Sequence, residues 1–377
     1  MKKNKNSSLK KYLPMAFFVM IGAVCGVVMV NYIRQIAPDR PLIALIVMLV
    51  ALYAAILVHM IIHEGGHLIF GLVSGYSFSS FRVLSFMLVK DEGKLKLKRL
   101  TIAGTGGQCL MSPPDMVDGK LPVFLYNLGG SIMNIVFGCL FLALSLALPL
   151  HPIAAAVLMI FAVIGFALAV MNGVPMHMGE VDNDGYNAFS LGKDPQALRA
   201  FWVQMKVNQQ TSLGVRLRDM PEEWFALPSD DAMKNSMVAA IGVFAANRLM
   251  DQSRYIDADK LMEHLLTIDS GIVGIHRRLM ICDRIYIELI HQNRPDVIEN
   301  MLDKEQGKFM KTMKTFPSVM RTEYALALLG DKDTVKAESL KAMFEKIAVS
   351  YPYQSDIHSE RVLMDVAALK AESEETK

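Results

Sequence analysis

Apolar residues fill the first half of the chain in long, nearly unbroken runs, whereas after residue 190 apolar and charged positions interleave with a helical period. A hydrocarbon core about 30 Å thick needs roughly 20 apolar residues of helix. Pro14 to Ile33 meets that length without a charge, and Leu42 to Phe70, Leu121 to Leu150 and Ile153 to Met171 meet it again, the last two joined by a tight His151-Pro152 turn. The first run follows five lysines like a signal peptide, but it is too long and lacks a small-residue cleavage site, so a retained span is expected.

A different texture separates the second and third spans. Phe78 to Lys90 and Lys94 to Ile102 are short β-leaning runs around Asp91-Glu92-Gly93, the pattern of a hairpin. Lys94-Leu95-Lys96-Leu97-Lys98 alternates, so one face meets water or lipid headgroups. The Gly-rich run from Gly104 to Cys109 suggests a connecting loop.

From Ala197 the pattern is that of amphipathic helices. The turn Asp251-Gln252-Ser253-Arg254-Tyr255 recurs as His291-Gln292-Asn293-Arg294-Pro295 and more weakly near Asp331-Lys332-Asp333, a spacing near that of helix-hairpin solenoids. The expected fold is therefore mainly α: a polytopic helical membrane bundle of about four spans with a β-hairpin insertion, then a tetratricopeptide-like helical-repeat domain. The boundaries expected are 1–190 for the membrane domain, 191–229 for linker helices and 230–377 for the repeats.

Composition agrees with this division. The chain is 53% hydrophobic with a mean hydropathy of +0.31, high for a soluble domain. Its net charge of +2 gives no sign of a nucleic-acid partner. Cys25, Cys109, Cys139 and Cys282 are scattered, without a paired spacing, and are expected as free thiols. Lysines in the amino-terminal tail and between Arg82 and Lys120 outnumber the two arginines after the first span, which predicts a multi-pass cell-membrane protein with both termini cytoplasmic. The compact loops and Lys-rich tail point to a bacterial membrane.

The chemistry lies in His63-Glu64-Gly65-Gly66-His67, which fits H-E-x-x-H. On a helix the two imidazoles share a face, at a separation that lets both reach one Zn²⁺. Glu64 is then placed to take a proton from water at the metal. Titratable residues in a span cost free energy unless paired or ligated, which makes them functional candidates. His59, one turn earlier, is expected to pack or to support a ligand rather than to be one.

Catalytic zinc needs a third protein ligand. After the fourth span comes an acidic cluster in which His177, Glu180, Asp182 and Asp184 are all candidates, and spacing does not choose among them.

The combination of H-E-x-x-H with Asn172, Pro175 and the later Asp184-Gly185 resembles the site-2 protease family of intramembrane zinc metalloproteases. That resemblance covers roughly residues 40–190 and implies Asp184 as third ligand, although the gap from Pro175 to Asp184 is longer than the family's usual one. Gly130-Ser131-Ile132-Met133-Asn134 is similar to the family's Gly-Pro-x-x-Asn segment with Ser131 in place of proline. It implies that Gly130 and Asn134, with Asn172, lie near the metal and bind substrate. The hairpin resembles a family feature that binds extended substrate by β-addition. The activity implied is zinc-dependent hydrolysis of a peptide bond in or beside the membrane segment of an anchored protein or peptide precursor, with Glu64 as base and the cytoplasmic repeats recruiting substrate or partner. Two rivals remain: a membrane zinc protease of another family with a Glu third ligand, and a non-catalytic scaffold that keeps the metal for structure.

Overall fold

The computed structural model describes residues 19–27, 30–31, 40–91, 94–100, 106–178 and 181–375. The chain is mainly helical with short antiparallel strand pairs, and it divides into two compact units. The first comprises Met1–Leu84 and Ala103–Pro195, the second Ser85–Ile102 and Gln196–Lys377.

Three helices of the first unit are long and apolar enough to cross a membrane: α2 (Pro41–Val73), α3 (Phe124–Ala147) and α4 (Pro152–Gly173). Of the expected first span, residues 19–27 (α1) and 30–31 are described and helical, and the rest lies outside the described residues. Pro41 opens α2 at a position where its missing N–H costs nothing. Pro152 does the same for α4, where the His151 side chain accepts from the Ile153 amide at 3.3 Å.

The three long helices pack on one another. Cys25, Met48, Ala55, Ile160 and Ile164 form an apolar core, while Leu42, Ile46, Val50 and Tyr53 point outward, as lipid-facing residues do. The closest approach of α2 and α3 is made by glycine. A β-carbon on Gly66 would come within 2.2 Å of the Gly129 carbonyl oxygen, and one on Gly129 within 2.5 Å of the Gly66 oxygen. Small residues are what allow membrane helices to meet this closely.

The first unit also holds β1 (Ser77–Val83) paired antiparallel with β4 (Gly107–Ser112). β4 corrects the loop expected there, at least from Gly107 onward. A β-carbon on Gly107 would meet the Glu64 carboxylate at 2.6 Å, so glycine in this strand serves close approach to α2 rather than a turn. After α4 come the two-residue strands β5 (His177–Met178) and β6 (Val181–Asp182), then the short helix α5 (Asp184–Ser190).

In the second unit, β2 (Phe86–Asp91) pairs with β3 (Lys94–Arg99), close to the expected hairpin. Met87, Val89 and Leu100 are buried with the helical core. Leu95 and Leu97 on β3 are exposed.

The segment expected as linker is packed domain instead. In α6 (Pro195–Ser212), Gln204 donates to the Met237 carbonyl at 2.9 Å, and the Thr211 carbonyl accepts from Ser355 Oγ at 3.1 Å. Trp202 and Trp224 stand edge to face at 5.6 Å. The apolar face of α6, which includes Ala197, Leu198, Phe201 and Val203, is buried, so this stretch joins the core.

Helix hairpins follow: α7 (Ser236–Asp251) with α8 (Tyr255–Thr267), α9 (Gly274–Ile290) with α10 (Pro295–Met301), and α12 (Pro317–Ala325) with α13 (Thr334–Ala348). The three recurring turns each place one residue in the left-handed region: Ser253, Asn293 and Lys332, with φ of 60°, 50° and 54°. Each turn closes with backbone bonds onto the preceding helix: Arg254 N to Leu249 O, Asn293 N to Glu288 O, and Asp333 N to Ala327 O. The helix α11 (Lys304–Thr312) is inserted before the third hairpin, a five-residue π-helical turn (Leu326–Gly330) ends α12, and α14 (Gln354–Glu375) closes the chain.

Candidate metal centre

His63 and His67 stand one turn apart near the end of α2, and the loop after α4 brings Asp184 to them. His63 Nε2 lies 3.1 Å from Asp184 Oδ2, His67 Nε2 3.4 Å from the same oxygen, and the two Nε2 atoms 3.2 Å from each other. For ligand bonds of about 2.0–2.1 Å, adjacent corners of a tetrahedron are about 3.3 Å apart. The three atoms are thus spaced like one face of such a tetrahedron, and two imidazoles with a carboxylate are a donor set that could hold a metal ion.

Neighbouring groups fix the ligand side chains. His67 Nδ1 bonds the Tyr126 carbonyl at 2.8 Å, which puts the ring hydrogen on Nδ1 and turns the Nε2 lone pair toward the cluster. His63 Nδ1 lies 3.2 Å from Asn134 Nδ2, and Asn134 Oδ1 lies 3.1 Å from His59 Nδ1. Asn134 and His59 have no exposed surface. Gly130 leaves room for the His63 ring, since a β-carbon there would stand 2.4 Å from His63 Cε1. Gly165 does the same for His59, again at 2.4 Å.

Asp184 is held by its neighbours in sequence. Asn183 Nδ2 donates to the carbonyls of Met171 (2.8 Å) and Val174 (2.6 Å), and its Oδ1 accepts from the amides of Met176 (3.0 Å) and Tyr186 (2.9 Å). One side chain thus caps α5 and ties it to the end of α4. Burial pushes the Asp184 carboxyl up, but the imidazoles of His67 and His63 outweigh it and hold the group well below the usual carboxylate range.

The other candidates lie elsewhere. His177 Nδ1 pairs with Asp182 Oδ1 across the β5–β6 pair, and its ring, exposed, stands 4.2 Å from that of Tyr186. Glu180 lies outside the described residues. Asn172 donates to the Leu168 carbonyl of its own helix at 3.0 Å. Glu64 is buried beside Gly107, within electrostatic reach of His63, His67 and Asp184. Asn183 was missed from the sequence. An Asn one position before the Asp is a helix-capping signal, but nothing local shows that it also grips carbonyls nine and twelve residues back.

The chain matches no family model, no curated protein and no solved structure.

Proposed function

We propose that this protein is an intramembrane zinc metalloprotease of the site-2 protease type, cleaving a peptide bond in or beside the membrane segment of an anchored protein or peptide precursor. The observation that carries the reading is the convergence of His63 Nε2, His67 Nε2 and Asp184 Oδ2 onto one tetrahedral face, with Glu64 beside it. A structural site has no use for that carboxylate.

Zn²⁺ held by these three groups would supply Lewis acidity to a scissile carbonyl and to the attacking water. Glu64 takes the proton from that water and passes it to the leaving amine, work that is worth about 10²–10⁴ in rate. His67 is oriented for its part by the Tyr126 carbonyl, and His63 by Asn134. In this reading Asn134 and Gly130 act through His63 rather than on the substrate, because both polar atoms of the Asn134 amide already face imidazoles. α2, α3 and α4, with a retained first span ahead of them, surround the centre with lipid and keep bulk water from it.

An extended substrate would add to a strand edge. On β4 the Cys109 carbonyl already accepts from Tyr126 Oη at 3.1 Å and the Gly107 carbonyl from Arg82 at 3.4 Å, so neither is open to such pairing. The helix hairpins with their matching turns form a tetratricopeptide-like array on the cytoplasmic side, where they recruit substrate or partner.

The test is metal analysis of the purified full chain together with wild type and Glu64→Gln on candidate membrane substrates. About one zinc per chain in both proteins, with cleavage only by wild type, supports the reading. Equal processing by both, or no bound metal in either, overturns it.

A further inference from the structure

Within the second unit, α6, α7, α9, α12 and α14 enclose a cavity of about 280 Å³. Four carboxylates line it (Asp251, Asp283, Asp356 and Glu360) against two guanidiniums, Arg216 and Arg321. Each guanidinium is already committed. Arg216 Nε donates to Asp251 Oδ1 at 2.9 Å, and Arg321 joins Glu360 Oε2 at 2.9 Å to Asp283 Oδ1. Asp251 is satisfied further by Ser359 Oγ (2.7 Å) and the Arg218 amide (3.0 Å). Asp356 has no hydrogen-bond partner among the described residues, although it lines the same wall.

A purely structural ion-pair network is expected to match its charges, because an unmatched buried charge costs several kcal/mol. Here two negative charges are left over when all four acids ionise. His276, the histidine on the cavity wall, is pushed down by burial and so adds no positive charge to match them. Burial, then Glu360 and Asp251, push the Asp356 carboxyl up to about 7. A cavity, an excess of carboxylates and one acid without a partner among the described residues together suit a cationic ligand.

The walls say which cation. Phe244, Phe316, Tyr351 and Tyr353 present aromatic surface. A guanidinium stacks on such faces and takes carboxylates in a two-point fork, which a compact ammonium does not. The volume is near the low end of ligand pockets, enough for one side chain or one small molecule.

We propose that this cavity binds a guanidinium, presented by an arginine of a peptide or by a free small guanidine, with Asp356 as the carboxylate that receives it. The inference does not rest on the metal centre.

Isothermal titration of the full chain in detergent, at about pH 8 so that Asp356 is ionised, tests it with three probes: acetyl-Gly-Arg-Gly-amide, the same peptide with Gln for Arg, and agmatine. Saturable binding of a guanidinium probe, none of the Gln peptide, and a loss of about tenfold or more in Asp356→Asn are expected. Tighter binding of the peptide than of agmatine assigns the site to a protein ligand, and the reverse to a small molecule. Since this substitution removes an unfavourable charge, the variant folds, which a thermal melt verifies. Equal binding of the Gln peptide, an unchanged affinity in Asp356→Asn, or no saturable binding of any probe by folded protein overturns the proposal.

Discussion

Gly185 packs on the carbonyl oxygen of Gly173, which a β-carbon at position 185 would approach to 2.3 Å. This contact seats the first turn of α5 against the end of α4, and with it the carboxylate of Asp184. Gly185→Ala is expected to push that turn away and lower metal affinity about 10–100-fold, the range for losing an orienting contact. Chelator competition measures it. Retention of wild-type affinity would mean that the seat does not position Asp184.

The third ligand is open to a direct comparison. Asp184→Asn keeps size and removes the charge at the shared corner of the triangle, so bound metal is expected to fall to a trace. His177→Ala, which only breaks an exposed pair with Asp182, and Glu180→Gln are expected to retain it. Metal content of the three purified variants is the readout, and loss in Glu180→Gln alone would favour a protease with a Glu ligand.

Binding should also be lost in acid. Imidazoles ligate only when neutral, so each proton taken up competes with the metal. Affinity is expected to fall as pH is lowered from about 8 to 5. A flat profile between about pH 8 and 5 would argue that the two rings are not ligands.

Three of the four expected spans and the H-E-x-x-H pair were legible because each depends on a local pattern: a long apolar run, and a four-residue spacing that any helix turns into a shared face. The recurring turns were legible for the same reason, since Ser253 and Asn293 close helices through their own neighbours. What was not legible depends on contacts distant in sequence. Gly107 looked like a loop glycine, but it is a strand residue made small by Glu64, 43 positions earlier. Asn172 matched a familiar motif yet bonds its own helix, while Asn183 performs the tethering. The stretch 191–229 was expected as linker helices, and its ties to the domain come from residues distant in sequence, Met237 on α7 and Ser355 on α14.

His59, Asn134 and His63 are coupled through their protons. As they stand, the Asn134 amide nitrogen faces His63 Nδ1 and its oxygen faces His59 Nδ1. A metal at His63 Nε2 leaves the ring hydrogen on Nδ1, which needs an acceptor. The amide must then turn its oxygen to His63 and donate to His59 instead. Asn134→Leu is expected to lower metal affinity about 10–100-fold. His59→Leu should have a smaller effect in the same direction, and His59→Gln, which can still accept from the amide, should recover most of it. Equal affinities across the set would show that the ring of His63 is held by packing alone.

Asp356 makes a prediction about stability that is separate from binding. Its carboxyl titrates near about 7 in the folded chain, against 3.8 for an unperturbed aspartate. Between those values the folded state keeps a proton that the unfolded state has released, so stability falls as pH rises through the window and levels off above it. Asp356→Asn removes the dependence. The variant should match wild type at about pH 4 and exceed it at about pH 8, by an amount on the order of 2–3 kcal/mol once water in the cavity is allowed for. Thermal melts at the two pH values measure the difference. A bound guanidinium would neutralise the same charge, so saturating agmatine should raise the wild-type melting temperature at about pH 8 and leave Asp356→Asn almost unmoved. A wild-type chain whose stability is level across this range would show that the carboxyl ionises without penalty, and the cavity would then have no unmet charge to offer a ligand.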